Sequence, residues 1–114
     1  MIAESMARLY KLLTGLGIKG THQAYPKGGA PAPPFFVYDL DAGGEVFADG
    51  SNWCETPRYR VQLLERQMDA DLEQRLSNAL RDEYGPVLVM EDWVESEHSR
   101  IVSYYFTDTH PERG

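Results

Sequence analysis

The chain has only one cysteine, Cys54, and this scarcity removes two kinds of site. An intrachain disulfide needs two cysteines, and a thiolate zinc site needs several. No apolar run approaches the roughly 20 residues of a membrane-spanning helix, and charged residues interrupt the first 16 residues as they would not in a signal peptide. We therefore expect a soluble protein of a reducing compartment. Its 114 residues, 42% of them hydrophobic, suffice for one core.

Basic residues are also few, because 11 Lys and Arg stand against 18 Asp and Glu. The net charge is −7 and the isoelectric point is near 4.8. Affinity for nucleic acid depends on cations that face the phosphates, and binding to anionic membrane surfaces depends on the same charges. We expect neither specific nucleic-acid binding nor membrane binding.

Motifs of catalysis are missing as well. Gly28-Gly29 is followed by prolines instead of the helix that a phosphate-binding loop requires. The polar stretch 49–52 lacks the spaced oxygen ligands of a calcium loop. A Cys54–His98 pair stays open, although nothing in the pattern favours it over a small buried cysteine. We predict a protein that is not an enzyme and has no catalytic residue, metal ligand or cofactor.

Two segments have the periodicity of amphipathic helices, namely 2–15 and 69–84. Asp69 is a good N-cap for the second helix, and Gly85-Pro86 is a typical stop. The acidic side chains of this helix are expected to lie on its solvated face, without an apolar pocket that would shift their pKa values: Glu73, Asp82 and Glu83.

Strands are predicted by alternation and by β-branched and aromatic residues. The predicted strands are 35–41, 45–53, 57–66, 86–95 and 99–107, with 18–24 as a possible short edge strand. The order is α-β-β-β-α-β-β with hairpin-length connections. The sequence thus predicts an α+β two-layer domain over residues 1–107, with a mainly antiparallel sheet of four to five strands and two helices on one face. Residues 108–114 are expected to form a frayed polar tail.

A glycine- and proline-rich segment runs directly into the first confident strand, and loops held on rigid strands often carry function. Its sequence from residue 25 to 40 is YPKGGAPAPPFFVYDL. It is followed by FADGSNW, then YRVQLL, then a helix that opens DADLEQRL, and late in the chain by WVESE.

In the order and spacing of these segments, the chain resembles the small tail-component proteins of long, non-contractile-tailed bacteriophages and prophages, the tail-completion or tail-terminator proteins. The resemblance implies an α+β subunit that caps the tail tube as a ring, hexameric when assembled, and joins it to the head connector. The implied partners are other copies of the chain, the major tail tube protein and a head-tail connector or head-closure protein. The implied location is the tail or neck of the virion, assembled in the host cytoplasm. A head-closure or other neck component, or a small non-enzymatic adaptor, is the alternative.

A ring made of identical subunits needs two different complementary surfaces on each subunit. Our candidates are the rigid loop and the one face of the third predicted strand that carries arginines. The predicted interface residues are Tyr25, Pro26, Lys27, Gly28, Gly29, Pro31, Pro33, Pro34, Arg58 and Arg60. The alternatives are a spacer loop over the sheet edge and arginines that pair with nearby carboxylates in solvent.

Overall fold

A computed structural model describes residues 2–22, 29, 31–40 and 57–108 of the chain. The elements are α1 (Ile2–Thr14), β1 (Lys19–His22), β2 (Phe35–Leu40), β3 (Arg58–Glu65), α2 (Ala70–Tyr84), β4 (Leu88–Val94) and β5 (Ser99–Thr107). A short 3-10 turn, Glu95–Glu97, links β4 to β5. The predicted α+β class and the predicted element order are confirmed. The predicted strand 45–53 lies outside the described residues.

The strands form one sheet in the order β1-β2-β3-β5-β4. Three of the pairs are antiparallel, but β1 runs parallel to β2, so the sheet is mixed. A hairpin cannot join parallel neighbours. The predicted hairpin-length connections concerned the later strands, and the parallel pairing of β1 with β2 was not predicted. β1 is at one edge, as expected for the segment 18–24, and β4 is at the other.

Both helices pack on the same face of the sheet, as predicted. Paired residues of adjacent strands share a face, and Leu63 pairs with Phe36 on one side and with Val102 on the other. Leucines of both helices close over this stripe, and the buried core they form includes Leu9, Leu13, Leu72, Leu76, Leu80, Phe36, Val61, Leu63 and Val102. Burial of each such side chain contributes about 1.5–3 kcal/mol.

Local chemistry fixes the ends of α2 and the position of β1. The carboxylate of Asp69 accepts the backbone N–H of Leu72 at 3.0 Å, which is the predicted N-cap. Gly85 ends the helix at φ 91°, a conformation that favours glycine. At Gly20 a Cβ would collide with the ring of Phe36, so glycine leaves room for this buried ring beside β1.

The opposite face of the sheet carries neither helix. The outward side chains of β4 are strongly exposed there, with Leu88 61% and Met90 56% accessible. The alternation of β4 predicts which side chains share this face, and the structure adds that neither helix covers it.

Candidate functional site

The structure describes only part of the predicted loop surface. Tyr25, Pro26, Lys27 and Gly28 lie outside the described residues. Among the others, Gly29 and Pro34 are exposed, and Pro31 and Pro33 are half-buried. 

The loop ends at a cleft of about 440 Å³. Pro33 and Pro34, joined by a cis peptide bond, line it together with the connection from β3 to α2. On the opposite wall are Gln67 and the exposed side chain of Met68. The end of the loop is thus held beside the N-terminus of α2, as a loop anchored on a rigid element should be.

Arg58 and Arg60 share the outward face of β3, as their spacing predicts. Arg60 is half-buried and forms a two-pronged ion pair with Asp39 on β2, in which Nη2 lies 2.9 Å from Oδ2. Hydrogen bonding to Asp39 raises the pKa of the Arg60 guanidinium. The environment of Arg60 therefore agrees with the second interpretation, an arginine paired with a nearby carboxylate at the surface. Such a pair contributes little to stability.

Arg58 is exposed and lies at the far end of β3 from the loop. Phe35, next to the loop, pairs with Leu64, whereas Arg58 begins the strand. Six residues of strand separate Arg58 from Leu64, which is about 20 Å. The loop and Arg58 therefore belong to two separate surfaces of the subunit.

Arg58 borders a pocket of about 520 Å³ at the end of the sheet, beneath the C-terminus of α2. We call it the Arg58 pocket, and its walls are contributed by Tyr84, Pro86, Val87, Leu88, Tyr105, Phe106 and Thr107. Among the described residues that line it, most are apolar and Arg58 is the one cation.

Strand β4 presents an exposed aromatic residue that the sequence analysis did not single out. Trp93 is 46% exposed, and its indole Nε1–H donates to Oε1 of Glu95 at 2.9 Å. We call this pair the Trp93 knob. It lies at the end of β4 that is remote from the Arg58 pocket, because Leu88 begins the strand and Val94 ends it.

Glu73 does not lie on a solvated helical face, so this prediction is wrong. Its side chain is 12% exposed, and Arg100 of β5 binds both of its carboxylate oxygens, at 2.8 and 2.9 Å. The Nε of Arg100 also lies 3.5 Å from Oε1 of Glu65, and its Nη2 lies 3.3 Å from Oε1 of Glu91. One guanidinium thus serves three carboxyl groups.

Glu65 is the least satisfied member of this cluster. It is 2% exposed, and neither of its carboxyl oxygens accepts a well-formed hydrogen bond. Burial, followed by the neighbouring carboxyl group of Glu73, raises the pKa of Glu65 to about 8. The bond from Arg100 lowers the pKa of Glu73 instead. Glu65 is therefore held in its neutral form to a higher pH than an exposed glutamate.

Two carboxyl groups with separated pKa values are typical of acid–base catalysis as well as of structural clusters. A catalytic acid must reach its substrate, however, and both Glu65 oxygens are inaccessible to solvent. The carboxylate of Glu73 is occupied on both oxygens by Arg100. This geometry joins β3, α2 and β5 and does not favour chemistry on a ligand.

A second polar cluster is centred on Asp108, which was predicted to begin a frayed tail. Asp108 is 1% exposed, and its Oδ2 accepts hydrogen bonds from the Ser5 hydroxyl and from Arg8, the latter at 2.8 Å. Tyr59 donates to Ser5 at 2.7 Å, and burial raises the pKa of Tyr59 to about 12. The prediction of a tail is wrong at this residue, because Asp108 ties α1 to the ends of β3 and β5. Residues 109–114 lie outside the described residues.

Other candidate sites find no support in the described part of the chain. It contains no group of three or more His, Cys, Asp or Glu side chains placed to hold a metal ion. His98 is exposed, and its proposed partner Cys54 lies outside the described residues. None of the described helices is long and apolar enough to cross a bilayer.

Comparison with known proteins gives no relative from which a function of these surfaces could be taken. No protein-family model matches the chain, and no curated protein and no solved structure matches it at a significant level.

Proposed function

We propose that this chain is a structural subunit of a long-tailed phage or prophage, a tail-terminator or tail-completion protein. It assembles as a ring on the end of the tail tube and joins the tube to the head connector. The binding partners in this proposal are other copies of the chain, the major tail tube protein and the connector or head-closure protein. The protein works by association and catalyses no reaction.

The observation that carries this proposal is the exposure of large apolar side chains along the edge strand β4. Leu88 and Met90 are 61 and 56% exposed on the outward face of β4, and Trp93 is 46% exposed on the face that carries the helices. Edge strands of monomeric proteins usually carry charge or cover as protection against association. Glu91 and Asp92 give β4 part of that protection, whereas the large apolar side chains exposed beside them are typical of a surface that another protein covers.

The separation of the candidate surfaces favours a ring subunit over a monomeric adaptor. The loop end at Pro33 and Pro34 and the Arg58 pocket lie at opposite ends of β3. Two distinct surfaces on one subunit allow it to contact another copy through one and a further component of the assembly through the other, whereas an adaptor needs one. The order of the YPKGGAPAPP, YRVQLL and WVESE segments, which resembles the tail proteins, supplies the class of assembly.

The negative net charge of the chain is compatible with a ring through which DNA passes. A ring through which a duplex slides should not hold its phosphates, because each Lys or Arg contact adds affinity. A net charge of −7 per subunit meets this requirement. A head-closure component would satisfy it equally, and the partner that binds distinguishes the two.

The direct test is addition of the purified chain to tubes of the major tail protein encoded beside it. We expect the chain to pellet with the tubes and to appear as a cap at one end in electron micrographs. A variant lacking residues 28–31 should stay folded, as judged by circular dichroism, but should fail to cap the tubes.

Binding only to connector rings would move the assignment to a head-closure component. Absence of binding to either particle, or absence of tail genes beside the coding sequence, would contradict the proposal. Wild-type capping by the deletion variant would leave the function intact but remove the loop from the interface.

A further inference from the structure

The Arg58 pocket has the chemistry of a receptor for an aromatic group beside an anion. Its walls come from apolar and aromatic side chains at the C-terminal end of α2 and the ends of β4 and β5. Arg58 supplies positive charge at one side. A pocket of about 520 Å³ lies within the range that accommodates a large side chain or a small ligand.

The Trp93 knob has the opposite chemistry. The indole ring stands nearly half exposed, and the carboxylate of Glu95 is fixed beside it by the hydrogen bond from Nε1. The ring and the charge are therefore presented together with few rotatable bonds left to order, which reduces the entropic cost of docking. The neighbouring Asp92 adds a second exposed carboxylate.

The knob and the pocket of one molecule cannot meet. Leu88 lines the pocket and Trp93 forms the knob, and five residues of extended strand separate them by about 17 Å. The register confirms the separation, because Leu88 pairs with Tyr105 and Trp93 pairs with Arg100. A rigid strand thus holds two complementary groups apart on the same subunit.

We infer that the Trp93 knob of one copy of this chain docks in the Arg58 pocket of a second copy, with Glu95 facing Arg58. This inference rests on the proposed function and names the subunit contact within the ring. Tryptophan and arginine are the side chains that most often dominate interfaces, and an apolar pocket around them excludes water. The contact is head-to-tail, because each copy uses its knob on one neighbour and its pocket on the other, and such contacts close into a ring or extend as a filament.

Sedimentation velocity over a concentration series up to about 1 mM, the range of weak protein contacts, tests this contact. We expect wild-type protein to self-associate and Trp93→Ala to weaken the association constant by about 30-fold, the factor for a side chain that dominates an interface. Tyr10→Ala is the matched control, because Tyr10 is an aromatic side chain of similar exposure (43%) on α1, where its ring contacts Phe36 and Tyr38 of β2, a strand that β3 separates from β5 and β4. A wild-type chain that stays monomeric, or a Trp93→Ala chain that associates like wild type, overturns the inference.

Charge reversal tests the orientation of the contact. Arg58→Glu and Glu95→Arg should each weaken association, and the double variant should restore it, because the pair is then reversed across the interface. Arg75→Glu, an exposed reversal on α2, should have no such effect. Additive weakening in the double variant would show that Glu95 does not face Arg58 and would overturn the proposed pairing.

The outcomes separate this contact from the proposed function. If wild type and Trp93→Ala cap tail tubes equally, the proposed function stands and the proposed Trp93 contact is contradicted. A chain that associates through Trp93 and Arg58 but binds no tube keeps the contact and loses the function.

Discussion

The two ends of strand β5 carry charged residues on the same face, but they meet opposite surroundings. Residues 100, 102, 104, 106 and 108 point toward the helices, and the apolar stripe between them begins at Arg100 and ends at Asp108. At Asp108, one buried carboxylate receives a cation and a hydroxyl group. At Arg100, one cation is shared by three carboxyl groups, of which Glu65 is buried without a well-formed hydrogen bond.

The difference shows that the number of hydrogen-bond donors around a buried carboxyl group at the border of the core decides its charge state. A buried carboxylate stays ionised where donors surround it, and it takes up a proton where they are too few. The Asp108 end is therefore a fixed link between α1 and the sheet. The Arg100 end links α2 to the sheet through Glu73 and also contains Glu65, a carboxyl group whose burial favours its neutral form.

Removal of Asp108 should have the largest effect on stability. Asp108→Ala leaves Arg8 and the buried Ser5 hydroxyl without their shared acceptor, and loss of one partner of a buried ionic cluster costs about 4 kcal/mol. Urea denaturation followed by circular dichroism measures this loss. The control is Asp71→Ala, which removes an 84% exposed carboxylate from a surface pair and should cost under about 0.5 kcal/mol. Equal losses in the two variants would show that Asp108 is not part of the core.

Removal of Arg100 should lower the free energy of unfolding slightly less than removal of Asp108, and the loss should depend on pH. Arg100→Met leaves ionised Glu73 buried without its cation and should cost about 3 kcal/mol at pH 7. Because Arg100 lowers the pKa of Glu73, its stabilisation is present above the unfolded pKa of about 4.5 and is lost as pH falls through the folded value. The deficit of the variant should therefore shrink in acid. A deficit that stays constant from pH 7 to pH 3 would assign the loss to packing instead.

The positions of Glu65, Arg100 and Asp108 on the core face were accessible from the sequence, although their roles were not. Each continues the alternation of a confidently predicted strand by one step beyond its apolar residues. Alternation was enough to predict which residues of β3 and of β5 share a face, but it cannot show partners such as Ser5 and Asp108, which are 103 residues apart.

Two further features depend on the order of strands, which the pattern does not contain. Glu73 follows the buried Leu72 and lies at the border of the apolar stripe of α2. Arg100 of β5 lies beneath this border and binds the Glu73 side chain, a contact that the spacing of α2 cannot show. Leu88 and Met90 alternate like core residues, and they are exposed because β4 is an edge strand with its outward face uncovered by either helix. Local spacing thus predicts the elements, and their arrangement decides which side chains are functional candidates.

Replacement of Glu65 should change the pH dependence of stability more than stability itself. The folded pKa of about 8 is above the ordinary 4.5, so the folded protein holds a proton that the unfolded chain releases. Between these values the wild type should lose at most about 1.4 kcal/mol per pH unit as pH rises. Glu65→Gln keeps the shape and polarity of the protonated side chain without the ionisation, and its stability should fall less steeply from pH 5 to pH 8. Parallel curves for wild type and variant in urea denaturation would mean that Glu65 is ionised at neutral pH.

The smallest effect is expected for the exposed pair on the open face of the sheet. Asp39 and Arg60 are 25 and 38% exposed, and a double-mutant cycle with Asp39→Asn and Arg60→Gln should give a coupling energy of about 0.5 kcal/mol. A coupling above about 2 kcal/mol would place this pair with the buried clusters of β5. A small coupling energy would also mean that variants of Arg60 leave the fold intact and can be used in assembly experiments. Any loss of assembly in Arg60→Gln could be attributed to the outward face of β3, where Arg60 was predicted to contact a partner.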